Sequence, residues 1–333
     1  MRILIRSPVE FEKILPEDWH HSIPTTRQRL YIQQTLETND IPSNFDKRLE
    51  EYAKNTDRMI LHVSTLGTKP LQQQPIFHWS IDHQHVATPC WRLETIMPHV
   101  LLAERYASKA MSSAADGKYK DAHTASTTAA EHYTLALSRL KKWSWKLPEL
   151  NHFVLQTDWH QSMIYKMECV GHLCTLCVGL DRGTASGALY TVSQRAMTAA
   201  IAQLATWSSE DTLLPIAESM RYYHSADMLW NNGQYGASIH RLTAWLTPTQ
   251  IDATSFPAIR DELDKVPLLL HERTQTNNGA YFDIVEAAAP LPGPKELMCT
   301  TSSDIPHPAM NTEQTDLSEE YAQGVSLQAI ATQ

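Results

Sequence analysis

The chain has 333 residues, 42% of them hydrophobic and 20% charged, with five cysteines and a formal net charge of −9. Glu296 to Gln333 holds six acidic residues and no Lys or Arg, which leaves the rest of the chain at about −3. A near-neutral body argues against a dedicated nucleic-acid binder and gives no reason for strong attraction to anionic lipid. Cys90, Cys169, Cys174, Cys177 and Cys299 are too sparse for a disulfide framework and suit a reducing compartment.

Residues 1–95 are the least periodic part. The start, MRILIRSPVEFEK, reaches Glu10 and Glu12 without any apolar signal core, so organellar import or secretion is the less favoured expectation. Pro8, Pro16 and Pro24 punctuate this stretch. A helix is predicted over Arg27 to Thr38, and another from Phe45 to Thr65 with Leu49, Tyr52, Ala53, Thr56, Met59 and Ile60 on one side. Gly67, Pro70 and Pro75 end it. Ile76, His78 and Ser80 then alternate with Phe77, Trp79 and Ile81, which predicts a short extended pair in IFHWSIDHQHVATPCW. One hairpin is marginal alone and has to lie against helices.

From Thr95 the pattern is helical and stays so. Met97, Val100, Leu101, Ala107 and Met111 line one helix, ended by Asp116-Gly117. Ala122, Ala125, Ala129, Tyr133, Leu137 and Leu140 line the next, where alanine lets neighbouring backbones approach. Arg139, Lys141, Lys142 and Lys146 read as the solvated end of that helix, a favourable place for cations. Leu155, Trp159, Met163, Met167, Val170, Cys174 and Cys177 line a third helix. Gly183 to Gly187 turns the chain into ALYTVSQRAMTAAIAQLATW. There Val192, Ala196 and Ala199 form one stripe, and Met197, Ile201 and Leu204 a second beside it. Two stripes imply contacts on two sides. Ile216, Met220, Tyr223 and Trp230 continue the period, Asn232-Gly233 breaks it, and Tyr235, Ile239, Leu242 and Leu246 restart it. A last helix, roughly Pro257 to Glu272, is expected to kink or break at Pro267. Beyond Pro290 the composition turns proline-rich, polar and acidic, a composition that does not fold by itself; Asp316 and Glu319 frame one short helix reaching Ile330.

No apolar run approaches about 18 residues, so a transmembrane helix is not expected. Cys169, His172, Cys174 and Cys177 invite a zinc reading, but a tetrahedral site needs four convergent ligands. On one helix only i,i+3 and i,i+4 neighbours share a face, and here they share it with Met163 and Met167. Thiols inside apolar packing are the better account. His78, His83 and His85 lack a carboxylate pattern that would specify a metal. The sequence carries no GxSxG, HExxH, GxGxxG or phosphate-binding Gly-Lys motif, so catalytic residues, cofactors and metals are all expected to be absent. An enzyme with a site invisible as a motif is a minor alternative.

Two runs, Gly117 to Ala122 and Gly233 to Ser238, are similar to the turn of tetratricopeptide hairpins, yet they stand 116 residues apart and not at a solenoid repeat. With QPIFHWSID, VLLAERYASKAM, DGKYKDAHTASTTAAEHYTLAL, LQTDWHQSMIYKMECVGHLC, GQYGASIHRLTAW and TNNGAYFDIVEAAAPLP in this order, the chain resembles the BRO1 domain of Alix- and Bro1-like proteins. Gly236, Ile239, Arg241 and Leu242 stand in register with that family's Gly-x-x-Ile-x-Arg-Leu signature. The resemblance covers about residues 27–292. It departs where Met163 to Glu168 replaces a Gln-Ala-Gln-Glu run, and where the loop after Trp207 is only four residues long. The expected fold is all-α: an elongated irregular helical bundle with tetratricopeptide-like hairpins and a small non-helical N-terminal element. The expected domains are an N-terminal extension over 1–26, the BRO1-like domain over 27–292, and an acidic tail over 293–333.

What remains is protein binding. The resemblance implies a non-catalytic adaptor that holds amphipathic helices of membrane-remodelling subunits, endosome-associated and peripheral to a membrane. The residues favour a fixed structural subunit of a large cytoplasmic assembly, cytoskeletal or axonemal, because an acidic, proline-containing tail orders only against neighbours. Candidate partner contacts are Met197, Ile201, Leu204 and Trp207 on the central helix, Trp143 and Trp145 beside the basic cluster, and Leu317 and Tyr321 in the tail. Large aromatics on an open face are natural anchors.

Overall fold

The computed structural model describes residues 3–5, 22–38, 40–65, 77–81, 84–88, 91–141, 152–207, 213–245 and 253–285. Cys90, Cys299, Trp143, Trp145, Leu317, Tyr321 and the expected tail helix lie outside these residues, as do the side chains of His78, His83 and His85.

Helix α1 (Ser22–Thr38) starts earlier than the periodicity indicates and runs through Pro24. Proline is tolerated there because first-turn amides have no intrahelical partner. Helix α2 (Phe45–Thr65) buries Leu49, Tyr52, Ala53 and Thr56, the face read from the sequence. The extended pair forms as β2 (Phe77–Ile81) and β3 (Gln84–Thr88), antiparallel, with Trp79 opposite Val86. A strand not foreseen, β1 (Ile3–Ile5), pairs with the other edge of β2, giving the order β1-β2-β3. Three residues carry too short a pattern to read as a strand before its pairing partner is known.

The remainder is a row of helices, each packed on the next: α3 (Trp91–Ala115), α4 (Tyr119–Lys141), α5 (Thr157–Asp181), α6 (Ser186–Thr206), α7 (Leu214–Asn231), α8 (Tyr235–Trp245) and α9 (Pro257–Thr276). Gly117 and Gly233 end α3 and α7 with φ of 73° and 78°, the left-handed turn that glycine adopts without steric cost. Tyr119 follows the first turn, is buried, and accepts a hydrogen bond from the Ala258 N–H at 2.9 Å, which draws α9 onto α4.

Helix α5 lies between α4 and α6. Contact on both sides makes it apolar nearly all round. Among the described residues it is the one helix that is long and apolar enough to cross a membrane by length and composition. Trp159, Met167, Val170, Cys174 and Cys177 are buried in protein, which accounts for that apolarity without a bilayer. Cys169, Cys174 and Cys177 are buried free thiols, and burial pushes Cys174 up to about 12, far from the thiolate that redox or metal chemistry needs. Among the described residues no group of three His, Cys, Asp or Glu side chains converges as a metal site.

Helix α9 does not break at Pro267 but continues to Thr276. Pro267 and Leu268 are on its exposed side, where water is within reach of a carbonyl left unpaired by the missing N–H. Val266 packs on Ala226 of α7 and Leu242 of α8, a small core joining three helices.

Candidate protein-docking surface

The two stripes of α6 meet different fates. Ala196, Ala199 and Ala200 are buried, while Val192 is half-buried. On the second stripe Met197 is buried, with its sulfur 3.0 Å from Nη1 of Arg221 on α7. Met197 is therefore core and not contact surface, because α7 closes over this turn of α6. Farther along, Ile201, Leu204 and Trp207 are all half-buried. Trp207 caps α6, its N–H donating to the Gln203 carbonyl at 3.0 Å. The result is an apolar row at three-residue spacing, partly open, at the C-terminal end of the central helix. Single exposed hydrophobics mean little, whereas a row on one helical face has the form of a groove wall for a partner helix.

At the opposite, N-terminal end of α6, α7, α8 and α9 are fastened by polar side chains that periodicity does not reveal. Arg273 of α9 pairs with Asp227 of α7, donates to Ser238 Oγ at 3.1 Å, and lies 5.0 Å above the Trp230 ring. Ser186 at the start of α6 donates to the other Asp227 oxygen at 2.8 Å. Ser238 in turn donates to the Ala226 carbonyl at 2.8 Å. Asp227 thus joins α6, α7 and α9, and Arg273 links α8 to them through Ser238.

The Gly-x-x-Ile-x-Arg-Leu residues each have a physical task. Ile239 and Leu242 are buried, and Arg241 Nη1 reaches Ser225 Oγ at 3.2 Å. Gly236 lies under the strap that follows α9: its N–H donates to Asp283 at 2.8 Å, and a Cβ there would overlap the Ile284 carbonyl. The strap leaves α9 through a π turn, Asn277–Tyr281. Asn277 is buried, donates to the Asp283 carbonyl at 2.8 Å and accepts from its N–H at 3.0 Å. Tyr281 stacks on Tyr235 with centroids 3.8 Å apart. Phe282 takes φ of 53°, a strained value for a bulky residue, held by the bonds on either side. We expect Gly236→Ala to lift the strap and to cost about 1–3 kcal/mol of stability. Urea unfolding together with proteolysis near residue 282 measures this; an unchanged midpoint and cleavage pattern contradicts the close approach.

Against solved structures the likeness extends over nearly all of this array. ALIX in complex with the SIVmac239 PYKEVTEDL late domain superposes with a TM-score of 0.64 at 14% identity, covering 88% of this chain and 46% of that one. The ALIX BRO1–CHMP4C complex gives 0.59 at 13% identity, covering 89% of this chain and 96% of that chain. The chain has a BRO1-domain fold. A third structure, described as the basis for endosomal targeting by the Bro1 domain, gives 0.59 at 11% identity over 89% of this chain and 88% of the other. The chain therefore spans less than half of the ALIX chain but nearly the whole of the two BRO1 domains. No protein-family model matches the sequence, and no curated protein matches it.

Proposed function

We propose that this chain is a non-catalytic BRO1-type scaffold that docks an amphipathic helix of a partner along the C-terminal half of α6. The partly open row Ile201, Leu204 and Trp207 carries the reading. An amphipathic helix presents apolar side chains at i, i+3, i+4 and i+7, and such a row accepts them. The fold supports it too, since one BRO1 domain of the same architecture was solved with CHMP4C. An endosome-associated, cytoplasmic setting follows, in line with the described role of another such domain in endosomal targeting. The structural-subunit reading, with its cytoskeletal or axonemal placement, draws on the tail alone; that segment lies outside the described residues, and none of the three structures described above points that way.

The test is a calorimetric titration of the full chain with CHMP4C as probe. Binding is expected, with a loss of at least about tenfold for Leu204→Asp or Ile201→Asp, since a carboxylate placed in an apolar contact must be desolvated without a partner. A parallel chain ending at Pro294 is expected to bind as the full chain does. No binding, or binding indifferent to both aspartates, contradicts the proposal. Dependence on the tail favours the structural-subunit reading.

A further inference from the structure

We propose that the seam joining α2 to the α3–α4 pair is an acid-operated latch, in which protonation of the His99–His132 pair releases α2 from the helices behind it. The seam is built from ions. Asp46 pairs with Arg105, Glu50 accepts from the Tyr106 hydroxyl at 3.4 Å, and Asp57 takes two bonds from Arg139, at 2.5 and 3.1 Å. Positions 46, 50 and 57 fall on one face of α2, so these carboxylates form a row. Farther along, α4 packs on α5 and α5 on α6, and Ala129, Leu173, Cys174 and Ala200 of these helices are buried and uncharged.

His99 of α3 and His132 of α4 meet behind Asp57 with their Nδ1 atoms 3.1 Å apart. Such a bond requires one ring nitrogen to donate and the other to accept. His99 Nε2 lies 4.0 Å from Asp57 Oδ2, too far for a hydrogen bond, but the carboxylate favours a proton on Nε2, with Nδ1 then the acceptor toward His132. One added proton can be held between the two Nδ1 atoms while the neutral ring keeps its own proton on Nε2; a second proton leaves no acceptor and sets two N–H groups against each other. A proton added to His132 places a cation near Arg139, whose charge Asp57 already balances. The other groups at the pair are Tyr106, stacked on His132, with Glu50 at its hydroxyl and Lys109 6.0 Å from its ring. None of them supplies a free carboxylate to offset the new charge. Burial holds both imidazoles below their ordinary range: at His99 it outweighs the opposing pull of Asp57, with Arg139 adding to it, and His132 is lowered to about 4 with help from His99 and Arg139. The neutral pair is therefore the state that belongs to the closed seam, and opening becomes easier as pH falls below about 6.5.

Hydrogen exchange of the full chain at pH 7.4 and 5.0, corrected for intrinsic rates, tests the latch. Opening of residues 45–65, measured relative to α5 and α6 in the same sample, is expected to increase roughly thirtyfold at the lower pH, the factor that linkage gives for an imidazole titrating at about 4 when closed and about 6.5 when open. In the double variant His99→Asn/His132→Asn the amides replace the ring contacts without titrating, and the increase is expected to shrink at least about tenfold. If circular dichroism shows that variant unfolded, His132→Asn alone must cut the increase at least about threefold. Exchange of α2 that is the same at both pH values, or that rises equally in wild type and variant, overturns the latch.

Discussion

Replacing Glu94 with alanine is expected to lower the stability of the folded chain by about 3–5 kcal/mol, the usual cost of stripping the partner from a buried charge. Glu94 lies at the start of α3 with no exposed surface. Arg29 of α1 donates to Oε1 at 2.7 Å, Tyr52 of α2 donates to the same oxygen, and Trp79 of β2 donates to Oε2 at 2.9 Å. One carboxylate thereby joins two helices and the sheet to the helical row. Burial disfavours the charge on Arg29, but Glu94 and Tyr52 outweigh it and hold the guanidinium above its ordinary value. Burial and the nearby carboxylate raise the Tyr52 phenol well above its own. Alanine leaves Arg29 buried, charged and without this counter-ion, and orphans two further donors. Glu94→Gln keeps the acceptor geometry and is expected to cost less. Urea unfolding of both variants decides it: a Glu94→Ala change within about 1 kcal/mol of wild type shows that other contacts hold the N-terminal elements.

Acid is expected to unfold the body of the domain between pH 6.5 and 4. Burial lowers His160 of α5, His172 of α5 and His224 of α7 each to about 4. For His172, Arg195 and His123 add to the shift; for His224, Asp227 and Glu262 oppose it. A histidine depressed in the folded state contributes its stability above the unfolded value of about 6.5 and loses it as pH falls toward the folded value. At pH 5 each such group costs roughly 2 kcal/mol, and the three together approach the whole stability of an ordinary domain. The melting temperature is therefore expected to drop steeply below pH 6. His224, 1% exposed and with neither ring nitrogen hydrogen-bonded, is the cleanest probe. His224→Met is expected to flatten the acid limb of the stability curve while costing little at pH 7.5. A melting temperature constant from pH 7.5 to 4.5 contradicts the buried neutral state of these imidazoles.

The helical row was legible because its packing is periodic. Ala122, Ala125, Ala129, Tyr133, Leu137 and Leu140 lie on the buried face of α4 as spacing requires, and the Gly117 and Gly233 turns take the left-handed φ that their residue type suggests. The order of the BRO1-like passages also survives in space: QPIFHWSID contains β2, GQYGASIHRLTAW opens α8, and TNNGAYFDIV becomes the strap over Gly236. Polar anchors were not legible. Apart from Trp79, 15 residues before Glu94, the side chains that donate to Glu94, Asp57 and Asp227 stand 41 to 82 residues away. No spacing rule reaches across such distances. Of the candidate contact residues, Met197 is buried, because two apolar stripes do not say which turn a neighbouring helix will cover, whereas Ile201 and Leu204 remain partly open.

The most direct test of the docking claim is where a bound partner slows hydrogen exchange. The full chain is measured alone and with saturating CHMP4C as the probe helix donor. Slowed exchange centred on residues 198–207 of α6, lost in Leu204→Asp, is the result that α6 docking predicts. Protection confined to the strap over 281–285 or to α1 and α2, with α6 unchanged, contradicts it.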